Sequence, residues 1–109
     1  MADTNKVLAQ SNPAATTLTD IYTVPASTST VISSIVVCNQ ASSSATFRIS
    51  VQVANAADAV KQYLFYDITI PGNDSFVATI GITLAATDVI AIYASSTTLS
   101  FNVFGVEIT

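Results

Sequence analysis

Residues 45–53, ATFRISVQV, alternate between apolar and polar side chains with a period of two. The apolar positions are Phe47, Ile49, Val51 and Val53, and the polar positions are Thr46, Arg48, Ser50 and Gln52. Because successive side chains of a β-strand point to opposite faces, this pattern predicts a strand with one face in the core and the other outward. The same period recurs along most of the chain, so this stretch indicates the fold class.

Residues 61–70 repeat the alternation with more aromatic side chains. One face carries Leu64, Tyr66, Ile68 and Ile70, and the other carries Tyr63, Phe65, Asp67 and Thr69. We expect Tyr66 to lie in the core, with Tyr63 and Phe65 on the opposite face. That face is either a contact surface or a second packed face of the sheet.

The other predicted strands are less polar. Residues 31–39 are apolar on both faces, which predicts a central strand, and residues 88–94 are apolar throughout after Asp88. In residues 99–108 the apolar set changes face near Gly105, after Val103 and from Phe104 onward. This change predicts either a bulge or bend at Gly105 or burial of both faces.

Turn-forming residues, such as Pro-Gly-Asn-Asp at positions 71–74, separate these runs. With about eight strands, the chain is predicted to be all-β, a single antiparallel β-sandwich that is jelly-roll-like. Strand count alone leaves jelly-roll and immunoglobulin-like connectivity both open. Residues 13–109 form the predicted sandwich domain, and residues 1–12 form either a first edge strand or an arm that docks on a neighbour.

The composition combines high hydrophobicity with very little charge. Hydrophobic residues make up 50% of the 109-residue chain and charged residues 9%, whereas soluble domains carry about 25% charged residues. The length predicts one domain with one core. Serine, threonine, asparagine and glutamine must then supply most of the polar surface. We therefore expect the protein to work in an assembly and not as a free monomer.

Few residues are available for catalysis or metal binding. The chain has no histidine, and its one cysteine, Cys38, is expected to be a buried thiol in an apolar strand. The remaining candidates are Asp67, Asp74 and Asp88, as the paired acids of a glycosidase or as calcium ligands. Asp74 and Asp88 lie at turns, and we favour a structural role for them. The chain is therefore predicted not to be an enzyme, with no catalytic residue, cofactor or metal.

The charge also limits the partners. The formal net charge is −4, and the three basic residues, Lys6, Arg48 and Lys61, are too few to neutralise a run of phosphates. Nucleic acid and anionic membrane surfaces are therefore not expected partners. No stretch approaches the roughly 18 apolar residues of a membrane-spanning helix. The polar N-terminal residues lack the pattern of a signal peptide, and the lone thiol fits a reducing cytoplasm.

Five stretches stand out in order along the chain: 7–13 (VLAQSNP), 18–25 (LTDIYTVP), 35–39 (IVVCN), 81–90 (GITLAATDVI) and 99–108 (LSFNVFGVEI). Together they resemble small virion proteins of tailed bacteriophages. The resemblance implies a small β-sandwich that forms homotrimers and is fixed to a capsid or tail. Residues 84–89 also resemble an element of trimeric jelly rolls of the tumour necrosis factor kind, which often carry glycine where this chain has Thr87.

The resemblance and the surface pattern together predict a non-enzymatic structural protein of the virion, made in the host cytoplasm. The leading hypothesis is a capsid decoration (cement) protein that binds the major capsid protein or another virion protein on the head and stabilises capsomer contacts. The alternative is a receptor- or glycan-binding or adaptor module of a tail fibre, neck or baseplate. The candidate interface residues are Val7, Leu8, Tyr63, Phe65 and Phe104.

Overall fold

The fold consists of nine β-strands within residues 2–109, which are the residues that the computed structural model describes. The strands are β1 (Asp3–Ser11), β2 (Thr19–Thr23), β3 (Ser29–Asn39), β4 (Ala45–Gln52), β5 (Tyr63–Ile70), β6 (Ser75–Ala78), β7 (Ile82–Leu84), β8 (Val89–Ala94) and β9 (Leu99–Ile108). Two short 3-10 turns, Val53–Asn55 and Val60–Gln62, lie between β4 and β5. The predicted all-β fold of packed antiparallel sheets is confirmed.

The strands form two antiparallel sheets. Sheet A has the order β1-β9-β3-β6, with β7 also paired to β3, and sheet B has the order β2-β8-β4-β5. The pairs β1·β9, β2·β8, β3·β6/β7 and β4·β5 are nested, so the chain runs as one long hairpin folded over on itself. Within this arrangement residues 3–11 are an edge strand of sheet A, and Leu8 and Ala9 in that strand pack against the core.

The core lies between the two sheets and is centred on Phe47 in β4. Its ring centroid lies 5.1 Å from that of Phe76 and 6.2 Å from those of Phe65 and Phe101. Phe47 and Phe65 belong to sheet B, whereas Phe76 and Phe101 belong to sheet A, so the cluster joins the two layers. Such aromatic pairs contribute about 0.5–1.5 kcal/mol each beyond the burial of their area.

The faces of β5 differ from the prediction. Tyr66, predicted to lie in the core, is 55% exposed, whereas Phe65 packs against the core. Two β4 residues that are two positions apart pair with Phe65 and Ile68, which are three positions apart, so β5 contains one extra residue between Phe65 and Ile68; a second register shift follows between Phe65 and Tyr63. Asp67 takes up this extra residue with a φ of 53°. The bulge reverses the alternation, and for that reason the prediction for Tyr66 was wrong.

β9 keeps a single alternation along its length, and the irregularity predicted at Gly105 lies in its neighbours. β1 and β3 each carry a register shift opposite this stretch, at Leu8 and Ser33. Gly105 faces the core side, where an added Cβ would lie 2.3 Å from the carbonyl oxygen of Val31. The backbone of β3 approaches β9 so closely here that only glycine fits.

Gly105→Ala is expected to destabilise the sandwich, because the new methyl group would overlap the β3 backbone. Overpacking of this kind costs about 1–3 kcal/mol. Gly81 is the matched control, since no atom lies within 4 Å of a Cβ built there, and Gly81→Ala is expected to be neutral or stabilising by up to about 1 kcal/mol. Urea unfolding followed by circular dichroism measures both variants. Equal stability of the two would contradict the close approach at Gly105.

Candidate functional site

The outer face of sheet A carries a continuous set of apolar and small polar side chains. Its apolar members are Val7, Val31, Val36, Val77, Phe104, Val106 and Ile108. Phe104 lies near the middle, opposite Val7 of β1 and Ser34 of β3. All seven apolar side chains are half-buried or exposed, and none belongs to the core between the sheets.

Charged side chains are almost absent from the outer face of sheet A. Within residues 2–109, the only charged residue that the strand alternation places on this face is Asp3, at its corner. Glu107 in β9 points to the core side, where its Oε1 atom lies 2.9 Å from Nζ of Lys6. The remaining charged residues belong to sheet B or to connecting segments. This face is therefore neutral across the width of the sheet.

The outer face of sheet B is partly covered by the chain itself. The alternation places Ser50 and Gln52 outward, yet they are 0% and 5% exposed. The cover is the connection 53–62, whose 3-10 turns contact β4 and β8. Gln62 fixes this connection by donating to the carbonyl of Ala57 at 2.8 Å and accepting from the N–H of Ala59 at 3.0 Å. The predicted polar face of β4 is therefore solvent-exposed only in part.

Farther along the same face, Arg48 is held between two tyrosine rings. Its guanidinium carbon lies 4.1 Å from the ring centroid of Tyr66 and 4.2 Å from that of Tyr93. Its Nε and Nη2 atoms donate to the two carboxylate oxygens of Asp67 at 2.7 and 3.3 Å. These hydrogen bonds raise the pKa of Arg48 above its ordinary value. The positive charge on this face is therefore neutralised in place.

A cavity of about 330 Å³ opens beside this cluster, lined by Val60, Tyr63 and Tyr66. The rings of Tyr63 and Tyr66 meet edge to face, with centroids 5.1 Å apart. Burial, and then the nearby Asp58 carboxylate, raises the pKa of Tyr63 above its ordinary value. Val60 is 92% exposed. The cavity thus offers an apolar wall next to a neutralised pair of charges.

The five predicted interface residues fall into three groups. Val7 and Phe104 are direct neighbours on the outer face of sheet A. Leu8 and Phe65 pack against the core and offer little free surface. Tyr63 is half-buried in the wall of the cavity. The sequence did not indicate that Arg48 lies between Tyr66 and Tyr93, because these residues come from β4, β5 and β8 and no local pattern joins them.

Asp88 holds the turn before β8, as its position in the sequence indicated. Its Oδ2 atom accepts a hydrogen bond from the N–H of Ala85 and its Oδ1 atom from the N–H of Ala54, both at 2.9 Å. The preceding residue, Thr87, has a φ of 71°, in the left-handed region that favours glycine. The side chain of Asp88 therefore stabilises a turn whose backbone conformation is otherwise costly.

The three candidate carboxylates have separate partners. Asp67 pairs with Arg48, Asp74 accepts a hydrogen bond from the N–H of Ser75 at 2.8 Å, and Asp88 holds its turn. In the part of the chain that the structure describes, no group of three or more His, Cys, Asp or Glu side chains is placed to hold a metal ion. No helix among the described residues is long and apolar enough to cross a membrane.

A second polar group, which the sequence reasoning missed, lies between the sheets. The hydroxyl of Tyr22 donates to Oε2 of Glu107 at 2.6 Å and lies 2.8 Å from Oγ1 of Thr30. Hydrogen bonds from Tyr22 and then Lys6 lower the pKa of Glu107, whereas burial and then the bond to Glu107 raise the pKa of Tyr22 to about 12. The only signal in the sequence is one charged residue, Glu107, in an otherwise uncharged strand.

Comparison with known proteins provides no relative from which a function could be transferred. No protein-family model matches the chain, and neither does any curated protein or solved structure. The resemblance to virion proteins therefore stays a prediction, and the function has to be argued from the surfaces described above.

Asp88→Asn is expected to destabilise the fold. An amide has one acceptor oxygen, so the variant leaves one of the two backbone N–H groups facing an N–H₂ donor. A buried donor without a partner costs about 1–3 kcal/mol, and because both bonds are only partly buried, we expect a loss near the lower end of that range. Asp20→Asn removes the same charge from an exposed position in β2 and is expected to change stability by less than about 0.5 kcal/mol. Urea unfolding at neutral pH compares them, and equal stability would contradict the structural role of Asp88.

Tyr22→Phe is expected to weaken the fold most at neutral pH. The lowered pKa of Glu107 means that its ionised form stabilises the fold above the unfolded pKa of about 4.5, and that this contribution is lost as the pH falls through the folded pKa. Removing the Tyr22 hydroxyl removes the largest cause of that shift, with a loss of about 1.5–3 kcal/mol at pH 7. Urea unfolding from pH 3 to pH 7 should show the difference between the variant and wild type shrinking in acid.

The dependence of stability on pH above pH 7 gives an independent check on Tyr22. Its raised pKa stabilises the fold below the ordinary value of 10.0, and this contribution is lost as the pH rises towards about 12. Tyr22→Phe should lack this loss. Tyr93→Phe removes a hydroxyl from a half-buried ring on the other side of sheet B. It should leave the pH dependence of the unfolding free energy unchanged in both acid and alkali. A pH-independent difference between Tyr22→Phe and wild type would contradict the pairing with Glu107.

Proposed function

We propose that this chain is a non-enzymatic structural protein of a tailed-bacteriophage virion, a capsid decoration protein that acts as a homotrimer on the head. The observation that carries the proposal is the neutral, uncovered outer face of sheet A. Contiguous apolar patches of this kind mark association surfaces, and interface cores exclude charged residues. Neither nucleic acid nor a membrane is part of the proposal, because the chain carries a net charge of −4.

We further infer that the sandwich is a jelly roll. The support is the nested pairing of strands, with β6 and β7 together acting as one interrupted strand beside β3. Eight strands in two sheets, formed by folding one long hairpin, give the double Greek key of that architecture. Jelly rolls occur in viral capsid proteins and in lectins, so the fold is compatible with either function and decides neither.

A decoration protein needs one surface for its own copies and another for the shell. The largest group of exposed apolar side chains away from sheet A consists of Val53, Val60, Leu64 and Tyr66. Of these, Val60 and Tyr66 line the cavity beside β5, the edge strand of sheet B. We assign the shell contact to this edge, where three copies per trimer and many trimers per head make a modest single-site affinity effective.

The alternative is a receptor- or glycan-binding or adaptor module of a tail fibre, neck or baseplate. The cavity beside Tyr63 and Tyr66 favours it, because aromatic side chains next to convergent polar groups are typical of ligand sites. The neutralised pair of Arg48 and Asp67 would suit an uncharged ligand such as a sugar.

Sedimentation with separated heads and tails of the phage that encodes the chain tests the proposal. We expect the purified protein to sediment with heads, and Val60→Lys to reduce that binding at least tenfold because a charge enters the shell contact. Light scattering should give three times the 11.3 kDa mass of one chain. Binding to tails or to host-cell glycans, with none to heads, would favour the alternative. A stable monomer at micromolar concentration would contradict the homotrimer.

A further inference from the structure

The two outer faces of the sandwich differ in what covers them. On sheet B, the connection 53–62 and the stack of Arg48 with Tyr66 and Tyr93 cover much of the surface. On sheet A, no described segment crosses the outer face, and its apolar side chains remain half-buried or exposed. The side chain of Val77 is 57% exposed there. Sheet A is therefore the layer whose outer surface is left for another molecule.

The apolar side chains of this face belong to residues that pair directly between neighbouring strands, so they form one continuous group. One row joins Val7 to Phe104, and the next joins Val106 to Val31. On the other side of Phe104, Val36 of β3 lies opposite Val77 of β6. Directly opposed residues in antiparallel strands are within side-chain contact of each other. The rows therefore form one surface that spans the sheet from β1 to β6.

The size of the face suits a stable interface. β3 runs for 11 residues, which is about 36 Å at the usual rise, and four paired strands are roughly 19 Å wide. The face thus has a projected area on the order of 700 Å², comparable to the roughly 800 Å² that a protein contributes to a specific interface, and in a homotrimer each copy would divide this area between its two neighbours.

The charge distribution points to a second copy of the chain as the partner. Each copy carries a net charge of −4, so two copies repel unless their acids stay apart. Apart from Asp3 at the corner, the acidic residues of the described chain lie off this face, and Glu107 in β9 is turned inward. Around the threefold axis of a homotrimer, parts of this face can pack against the two neighbouring copies without desolvating an unpaired charge, whereas a charged partner surface would lose its hydration there.

We propose that the outer face of sheet A, centred on Phe104, is the surface through which copies of this chain bind one another. This inference rests on the homotrimer of the proposed function and names the surface that forms it. Cys38, which was expected to be buried, is instead half-buried on the same face, opposite Ser75 of β6 and Ser100 of β9. The rate at which its thiol is alkylated therefore reports whether the face is covered.

Phe104→Lys and Val60→Lys form a matched pair for the test. Each adds one positive charge to an acidic chain, so each lowers the overall repulsion between copies. We expect Phe104→Lys to reduce the mass measured by light scattering from that of the trimer to that of one chain. Val60→Lys should keep the mass of the trimer. The opposite pattern, or an unchanged mass for Phe104→Lys, would overturn the proposal.

Val77→Lys guards against a folding defect in Phe104→Lys. Its side chain already reaches solvent in the single chain, so the substitution leaves the core intact, and circular dichroism with a thermal melt confirms folding. We expect the same loss of mass as for Phe104→Lys. A folded trimer of Val77→Lys would overturn the proposal.

Alkylation of Cys38 by iodoacetamide gives the second readout. We expect slow alkylation of wild type at high protein concentration, and at least tenfold faster alkylation on dilution or in Val77→Lys. A rate that is independent of concentration while the mass changes would overturn the assignment of the face.

Head binding is measured on the same samples, so that the two proposals can fail separately. If Phe104→Lys dissociates the trimer and the wild-type trimer does not bind heads, the result supports the interface and contradicts the decoration function. A wild-type monomer that binds heads supports the function and overturns the interface.

Discussion

Every strand of a two-layered sandwich must send alternate side chains into the space between the sheets, and this alternation constrains the whole molecule. Phe47 in β4 and Phe101 in β9 meet across that space, together with Phe65 and Phe76. Where the chain holds one residue too many for the alternation, the strand bulges and the core face is restored. Such bulges occur at Leu8 and Ser33 and near Asp67.

The sequence predicts the strands that keep a regular alternation of side chains. It does not predict the positions where pairing with a neighbouring strand introduces a bulge. Phe47 and Ile49 are buried as predicted, and Asp88 holds the turn that its position indicated. The faces of Phe65 and Tyr66 could not be predicted, because the extra residue in β5 is visible only in its pairing with β4. The stack of Arg48 with Tyr66 and Tyr93 is equally non-local, and so is the bond from Tyr22 to Glu107, since each joins strands that are far apart in the chain.

The uncharged polar side chains on the outer faces of the two sheets have different surroundings. Sheet B buries the outward polar residues Ser50 and Gln52 beneath its own connection, so its small polar side chains are part of a local second layer. Sheet A has no such layer among the described residues, and its outward serine, asparagine and valine side chains meet solvent directly. Two apolar surfaces therefore remain uncovered within the described chain, the outer face of sheet A and the group of exposed side chains at the β5 edge of sheet B.

The ion pair of Lys6 and Glu107 contributes to the neutrality of that face. Both residues belong to sheet A, in β1 and β9, and both side chains turn toward the interior, where Tyr22 and Thr30 complete the hydrogen bonding of the carboxylate and the phenol. A carboxylate in such a place costs free energy unless it is paired and hydrogen-bonded, and both conditions hold for Glu107. Had the alternation of β9 shifted by one residue, Glu107 would stand on the outer face, and Phe104, Val106 and Ile108 would turn inward. The close backbone approach at Gly105 fixes that register. One glycine thus keeps a charge inside the sandwich and three apolar side chains outside, and the association surface that we propose depends on this arrangement.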